Sequence, residues 1–170
     1  GVIDFYSYAK DAGIKPIIGC EMYVGPGSRH ARGDTKSPYH MTVLARNDRG
    51  YRNLVKLVTK SHLEGFYYKP RIDKELLASH SKGLIGLSAC LKGEVPQAAL
   101  RGNDKAAMKA AGAYRDILGE GNFFLEIQDH GLKEDQKVIP EVIKLAREFE
   151  LPLVATNDVH YLNRGDHTFQ

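Results

Sequence analysis

The sequence predicts an α/β fold in which short buried strands alternate with amphipathic helices. Its apolar runs are short, rich in Val, Ile, Leu and Phe, and bounded by Gly, Pro or polar residues, which is typical of strands. Apolar residues at helical spacing fill most of the intervening segments. The composition of the 170 residues, 42% hydrophobic and 26% charged, is that of a globular domain with one core. This alternation indicates an α/β barrel or a doubly wound sheet.

In chain order, the elements begin with GVIDFYSYAK, which is typical of the middle of a helix. Apolar runs then predict strands at residues 16–24, 41–46, 84–89, 123–128 and 151–156. Because these runs are almost continuously apolar, we expect strands that are buried on both faces, as in a parallel sheet covered by helices.

Three further helices are predicted near residues 48–64, over residues 104–118 and across residues 138–149. Asn103 and Gly119 are suited to cap the second of them, and Pro140 is expected to kink or restart the third. The apolar stripes of these helices consist of Tyr51, Leu54, Val55, Val58 and Leu63, then Met108, Ala111, Tyr114 and Leu118, then Val138, Val142, Leu145 and Phe149.

The link between the first two strands differs from the others. Residues 25–39, GPGSRHARGDTKSPY, are polar and basic and show no helical stripe. Since a parallel crossover normally carries a helix, we expect this link to join two antiparallel strands, with the later strands mainly parallel.

The composition also limits the class of protein. The formal charge of +3 allows a nucleic-acid partner without requiring one, and the two cysteines, seventy positions apart, favour free thiols over a disulfide framework. No run of 18 apolar residues and no secretory signal is present, so we expect a cytoplasmic protein without a membrane partner. The start at Gly1 and the stop soon after Asp166, where another helix begins, indicate a fragment of a longer protein.

The strongest chemical signal is ATNDVHYL, residues 155–162. Asp158 and His160 alternate directly after a predicted strand, so in an extended chain both side chains would point to one place at its carboxyl end. That end of a sheet or barrel is where sites are built. The alternative is an exposed polar loop that caps the next helix.

Three more residues have the right chemistry and weaker individual cases. Cys90 follows a strand, but a lone Cys there is more often a small buried hydrophobe, as we expect for Cys20. Glu21 lies inside an apolar run, where it must be paired, bind a metal or point to solvent. If the first two strands are antiparallel, Glu21 and His40 share one end of the sheet.

Aromatic and basic residues are mixed in GFYYKPRID, residues 65–73, where Lys69 and Arg71 are candidate nucleic-acid contacts. The alternative is a packed loop with solvated charges. For the remaining histidines, surface or capping roles are preferred, although His130 follows a strand and could join the same edge.

Together, the segments IKPIIGCEMYV, YHMTVLARNDRGYRNLVKLV, LEGFYYKPRIDKELL, GLIGLSACLKGEVPQ, FFLEIQDHG and LPLVATNDVHYL resemble the PHP (polymerase and histidinol phosphatase) domain family. The resemblance covers the whole chain and is strongest to the branch found in bacterial replicative DNA polymerases. It implies a distorted TIM-like (β/α)7 barrel of the PHP type, incomplete here. Residues 1–170 would then be a partial PHP domain that lacks its amino-terminal strands and its carboxyl-terminal end.

The resemblance also implies a cluster of divalent metal ions whose matching ligands are Glu21, His40, Cys90, Asp158 and His160. Zinc suits His and Cys best, and manganese or magnesium are alternatives. Two family motifs, His-x-His and an Asp-His pair, are expected upstream of Gly1, so the fragment alone should be inactive.

The function implied by the resemblance is that of a replicative DNA polymerase whose PHP domain hydrolyses phosphodiesters as a 3′–5′ proofreading exonuclease. Its partners would be DNA and the other polymerase subunits. The alternatives are a non-catalytic scaffold that docks a separate exonuclease subunit, and a free-standing small-molecule phosphatase, which the GFYYKPRID segment disfavours.

Overall fold

A computed structural model describes residues 1–33 and 37–169. Its helices are α1 (Val2–Asp11), α2 (Asp48–Leu63), α3 (Lys74–Ser79), α4 (Glu94–Leu100), α5 (Asp104–Leu118) and α6 (Lys133–Glu148), followed by a 3-10 helix (Arg164–Phe169). Its strands are β1 (Gly19–Val24), β2 (Tyr39–Ala45), β3 (Phe66–Tyr67), β4 (Lys69–Ile72), β5 (Leu84–Leu87), β6 (Phe123–Ile127) and β7 (Leu153–Ala155).

The strands form one mixed sheet in the order β3-β4-β1-β2-β5-β6-β7. Strand β2 runs antiparallel to both of its neighbours, β1 and β5, whereas β5, β6 and β7 are parallel to one another. Strands β1 and β4 are also parallel, so the expected parallel pairing is interrupted by β2 and by the antiparallel hairpin of β3 and β4. Within the described residues, β3 and β7 are the two edges of the sheet, and no pairing between them closes a barrel.

The predicted antiparallel pairing of the first two strands is confirmed. In the register of β1 and β2, Tyr23 lies opposite His40 and Glu21 lies opposite Thr42. The link shows no helix at residues 25–33 and 37–38, while residues 34–36 lie outside the described part. The antiparallel register puts Glu21 and His40 on one face as diagonal neighbours, close enough for long side chains to meet.

The core lies between the sheet and the helices that pack on it, with α2 against β2 and β4, and α5 against β5 and β6. The predicted cap of α5 is confirmed, because the Asn103 side chain accepts a hydrogen bond from the N–H of Ala106. The predicted stripe of α2 is partly wrong. Val55 and Leu63 are exposed, and Leu57 and Ser61 are buried instead.

Four short elements were not predicted: β3, β4, α3 and α4. Each is two to seven residues long, which is too short for a periodic pattern to show. The third predicted helix forms as α6 and continues through Pro140 without a restart. Within the described residues, no helix has the length and apolar character to cross a membrane.

Candidate metal centre

Glu21 and His40 meet on the face shared by β1 and β2. The imidazole Nδ1 of His40 lies 2.8 Å from Oε1 of Glu21, and the side chain of His40 is 14% exposed. On its other side, the imidazole packs edge-on against the ring of Tyr23, with centroids 5.1 Å apart. The diagonal register therefore produces a carboxylate–imidazole pair that is open to solvent mainly through Glu21.

Cys90 reaches this pair from the turn after β5. The backbone N–H of His40 donates to the carbonyl of Lys92, which ties the turn to the start of β2, and the N–H of Gly93 donates to the carbonyl of Cys90 within the turn. In this arrangement, Cys90 Sγ lies 3.9 Å from Nδ1 of His40. A thiol, an imidazole and a carboxylate thus come together from three separate segments of the chain.

Asp158 and His160 lie close to each other for a different reason from the one expected. Strand β7 ends at Ala155, and Asp158 adopts a left-handed backbone conformation with φ of 47°. A turn, rather than strand alternation, therefore sets their positions. Nδ1 of His160 lies 2.6 Å from the carbonyl oxygen of Asp158 and 3.9 Å from its carboxylate.

The charges of these groups act on one another. Burial lowers the pKa of His40, and Lys92 and Lys69 act in the same direction against the opposite effect of Glu21 and Asp158. Burial raises the pKa of the Cys90 thiol, and Asp158 and Glu21 add to this effect. Asp158 is therefore near enough to influence both residues. Because burial outweighs the effect of the carboxylates on His40, its lowered pKa leaves the imidazole neutral at neutral pH, and the raised pKa of Cys90 leaves its thiol protonated.

The structure brings Glu21, His40 and Cys90 together, places Asp158 within electrostatic range, and leaves His160 in contact with Asp158. Over residues 1–33 and 37–169, no three His, Cys, Asp or Glu side chains are arranged to hold a metal ion. The ligand atoms of a tetrahedral zinc ion lie about 3.3–3.8 Å apart, so the 2.8 Å contact between Glu21 and His40 is too short for both to bind one ion.

The donor set nevertheless has the right chemistry for a divalent ion. Imidazole and thiolate are zinc ligands, and the carboxylates of Glu21 and Asp158 also accept manganese or magnesium. A cation would lower the pKa of Cys90, which burial and, to a smaller extent, the surrounding negative charges now raise. Alternatively, Glu21 could hold the Nδ1 side of the ring while Nε2 of His40 binds the ion, as ligand histidines commonly do.

A cleft of about 750 Å³ adjoins this group of residues. His40 and Tyr23 lie in its wall together with Tyr67, Tyr68, Lys69 and Lys92. The ammonium of Lys69 sits 5.3 Å from the centre of the Tyr23 ring. The cleft thus combines aromatic rings and two exposed lysines beside the candidate ligands.

Arg71 does not have the solvent exposure that a contact with a phosphate group needs. Arg71 is 4% exposed, and its guanidinium donates hydrogen bonds to the carbonyls of Gly65, Arg29 and Ala31. These bonds tie the segment after β1 to the hairpin of β3 and β4. The hydrogen bonds of Arg71 therefore stabilise the fold, and Lys69 remains the candidate phosphate contact.

Sequence reasoning missed a polar anchor behind the site. The buried carboxylate of Glu126 on β6 accepts hydrogen bonds from Thr156 and Gln128, just before the turn that carries Asp158. Nε2 of His130 lies 3.0 Å from the carbonyl oxygen of Asn157, to which it donates a hydrogen bond. A carboxylate within the apolar run FFLEIQ was the available signal.

Known proteins resemble this chain along almost its whole length. It is 49% identical over 173 residues to the DNA polymerase III subunit alpha of Treponema pallidum, an alignment that covers 100% of this chain and 15% of that protein. It is 44% identical to the protein of the same name from Deinococcus radiodurans (99% of this chain, 13% of that one) and 45% identical to that of Thermus aquaticus (98% and 14%). The chain therefore spans about one seventh of the length of these relatives.

The family comparison agrees with the motifs in the sequence. The PHP domain family matches residues 1–130, which include β1, β2, the turn with Cys90 and strand β6. The match extends over most of the 170 residues. This chain therefore belongs to the PHP domain family.

Proposed function

We propose that the chain is the PHP region of a bacterial replicative DNA polymerase alpha subunit, a DNA-directed DNA polymerase. Relatives that bear the name DNA polymerase III subunit alpha match 98–100% of the chain at 44–49% identity. This assignment makes DNA and the other polymerase subunits its partners and the bacterial cytoplasm its location. In the complete protein, we expect the mixed sheet to form part of a distorted seven-stranded barrel.

We further propose that the region is a divalent-metal-dependent phosphodiesterase that removes nucleotides from DNA 3′ ends. The observation that carries this proposal is the meeting of Glu21, His40 and Cys90 at one place, with Asp158 within electrostatic range. The proposed ligands are Glu21, His40, Cys90, Asp158 and His160, and zinc is the preferred ion. A bound divalent ion supplies charge neutralisation at the phosphoryl group and lowers the pKa of a water molecule.

The residues of this chain prepare the site for such an ion in three ways. His40 is neutral at neutral pH, so its free ring nitrogen can donate a lone pair without first losing a proton. Glu21 orients the ring through Nδ1. Lys69 and Lys92 line the adjoining cleft, where their charges complement a phosphodiester backbone.

A second function, a scaffold without catalysis, has a specific observation in its favour. The described residues contain no ready group of three ligands, and Glu21 and His40 are engaged with each other. In this alternative, the domain stabilises the polymerase and docks a separate exonuclease subunit. By itself, the 170-residue chain is expected to be inactive in either case.

The deciding experiment measures bound metal and 3′–5′ exonuclease activity in the complete protein and its variants. Cys90→Ser and Asp158→Ala should each lower zinc content and exonuclease activity by more than tenfold, while DNA synthesis changes little. Cys20→Ser is the matched control, since Cys20 lies on β1 and packs against the core without contacting His40.

The outcomes separate the two functions. Loss of metal and nuclease activity in the Cys90 and Asp158 variants, but not in the Cys20 variant, supports the phosphodiesterase. A complete protein that contains no stoichiometric metal and does not degrade 3′ ends would refute it and leave the scaffold.

A further inference from the structure

The hairpin of β3 and β4 has an unusual tip. Tyr67 pairs with Lys69 and Phe66 pairs with Pro70, so Tyr68 alone connects the two strands. Its φ of 57° is left-handed, and its side chain is 82% exposed. Bulky residues rarely adopt this conformation, which costs about 1 kcal/mol or more, and Gly or Asn would fit the turn with less strain. The exposed ring gains little packing in return.

The tip is held in place by its neighbours. The ring of Tyr68 packs edge-on against Tyr67 at 4.7 Å, and the guanidinium of Arg71 lies 5.3 Å from the centre of the Tyr67 ring. Arg71 is itself buried and bonded to backbone carbonyls. Tyr67 is therefore held by a buried side chain, and the ring of Tyr68 leans on Tyr67 with its faces open to solvent.

The tip faces the cleft that leads to the candidate metal centre. Tyr67 and Tyr68 line this cleft together with Lys69, Lys92 and His40. Its volume of about 750 Å³ falls within the range of small-ligand sites and has room for a single nucleotide. Aromatic faces stack on any nucleobase and lysines neutralise phosphates, so this combination is typical of single-stranded nucleic-acid binding.

We propose that Tyr68, supported by Tyr67, is a stacking platform for the terminal base of a single-stranded DNA 3′ end, whose phosphates Lys69 and Lys92 contact. This inference rests on the proposed phosphodiesterase function and names the form of its substrate. The platform would hold the terminal nucleotide at the mouth of the cleft, with the adjacent phosphate directed toward Glu21 and His40. Stacking is tolerant of base identity, as removal of any misincorporated nucleotide requires.

The test uses photo-crosslinking in the complete protein, with EDTA present so that no hydrolysis occurs. The probe is a single-stranded oligonucleotide that carries 5-iodo-2′-deoxyuridine at its 3′ end, and the crosslinked residue is identified by peptide mass spectrometry. We expect the crosslink at Tyr68 or Tyr67. Placing the same base in the middle of the strand should abolish it.

Variants define the role of the ring. Tyr68→Gly relieves the left-handed strain, so it should fold at least as well as the parent, yet it should lower the crosslink yield and the affinity for a 3′ end about tenfold. Tyr68→Phe should keep both. Tyr8→Ala, which removes another exposed tyrosine on α1, should change neither the crosslink yield nor the affinity. With an abasic 3′ end, the difference between Tyr68→Gly and the parent should disappear.

The results distinguish this inference from the proposed function. Crosslinking at Tyr67 or Tyr68 without nuclease activity would keep the platform and refute the phosphodiesterase. Nuclease activity with all crosslinks elsewhere, or an equal effect of Tyr68→Gly on abasic and normal ends, would refute the platform.

Discussion

Arg29 and Asp73 form a partly buried ion pair that fixes the segment after β1. The guanidinium of Arg29 lies 3.1 Å from Asp73 and 2.9 Å from Glu64, and the N–H of Arg29 also donates to Asp73. The carboxylate of Asp73 caps α3 by accepting the N–H of Leu76. One carboxylate thus joins the loop, the hairpin and a helix beside the cleft.

Replacing Asp73 by Asn should remove the charge and keep the cap, because an amide oxygen can still accept the N–H of Leu76. Burial raises the pKa of Asp73, but hydrogen bonds from Arg29 and Leu76 and the charge of Arg29 outweigh it and lower this pKa overall. Its stabilisation is therefore complete above the unfolded pKa of about 3.9 and is lost as the pH falls through the lower folded pKa.

We expect Asp73→Asn to lower the free energy of unfolding by roughly 2 kcal/mol at neutral pH, as measured by urea denaturation. The difference from the parent should shrink below about pH 4. Asp116→Asn, at the exposed pair with Arg115, should have almost no effect. A loss that is the same at acidic and neutral pH would show that the charge of Asp73 is not its cause.

The turn after β5 positions Cys90 through a close backbone approach at Gly93. A Cβ atom at Gly93 would lie 2.0 Å from the carbonyl oxygen of Ser88, so any side chain there forces the backbone to move. Gly112, in the interior of α5, has room for a methyl group, whose nearest neighbour would be Phe149 at 4.0 Å. The two glycines therefore predict opposite effects of the same substitution.

Gly93→Ala should lower the free energy of unfolding by about 1–3 kcal/mol, because overpacking must shift the turn away from β5. Gly112→Ala should raise it by about 0.5–1 kcal/mol through helix propensity. Denaturant melts measure both values. If Gly93→Ala proves neutral, the turn is looser than described and does not hold Cys90 beside His40.

On the scale of the whole molecule, α1 is the least integrated element. None of its residues is buried, and its exposed apolar side chains include Ile3 at 68% and Phe5 at 53%. Strands β3 and β7 are unpaired on their outer sides within the described residues. Apolar patches and open strand edges both promote association.

We therefore predict that the isolated 170-residue chain self-associates, and that Ile3→Lys combined with Phe5→Lys reduces the association. The molar mass of the chain is measured by light scattering after gel filtration over a range of concentrations. Val55→Lys provides the control, since Val55 is an exposed apolar residue that lies on α2 and not on α1. A monodisperse monomer at every concentration would contradict the prediction.

The sequence by itself determined the elements whose patterns are local. The predicted strands and the longer helices occur within a few residues of their expected bounds, and Asn103 caps α5 as its residue type and position predicted. The link without a helical pattern predicted that β1 and β2 run antiparallel. These features depend on contacts between residues a few positions apart, or on chain connectivity, so a single sequence carries them.

Only the tertiary structure decided where the candidate functional side chains lie. The 2.8 Å contact of Glu21 with His40 depends on a register offset of two residues, and the approach of Cys90 depends on bonds between segments fifty residues apart. Arg71 points inward because backbone carbonyls of the loop after β1 accept hydrogen bonds from its guanidinium. Tyr68 points outward because it occupies the tight turn between β3 and β4. Pairing across long sequence separations is set by packing of the whole core, which no local pattern encodes.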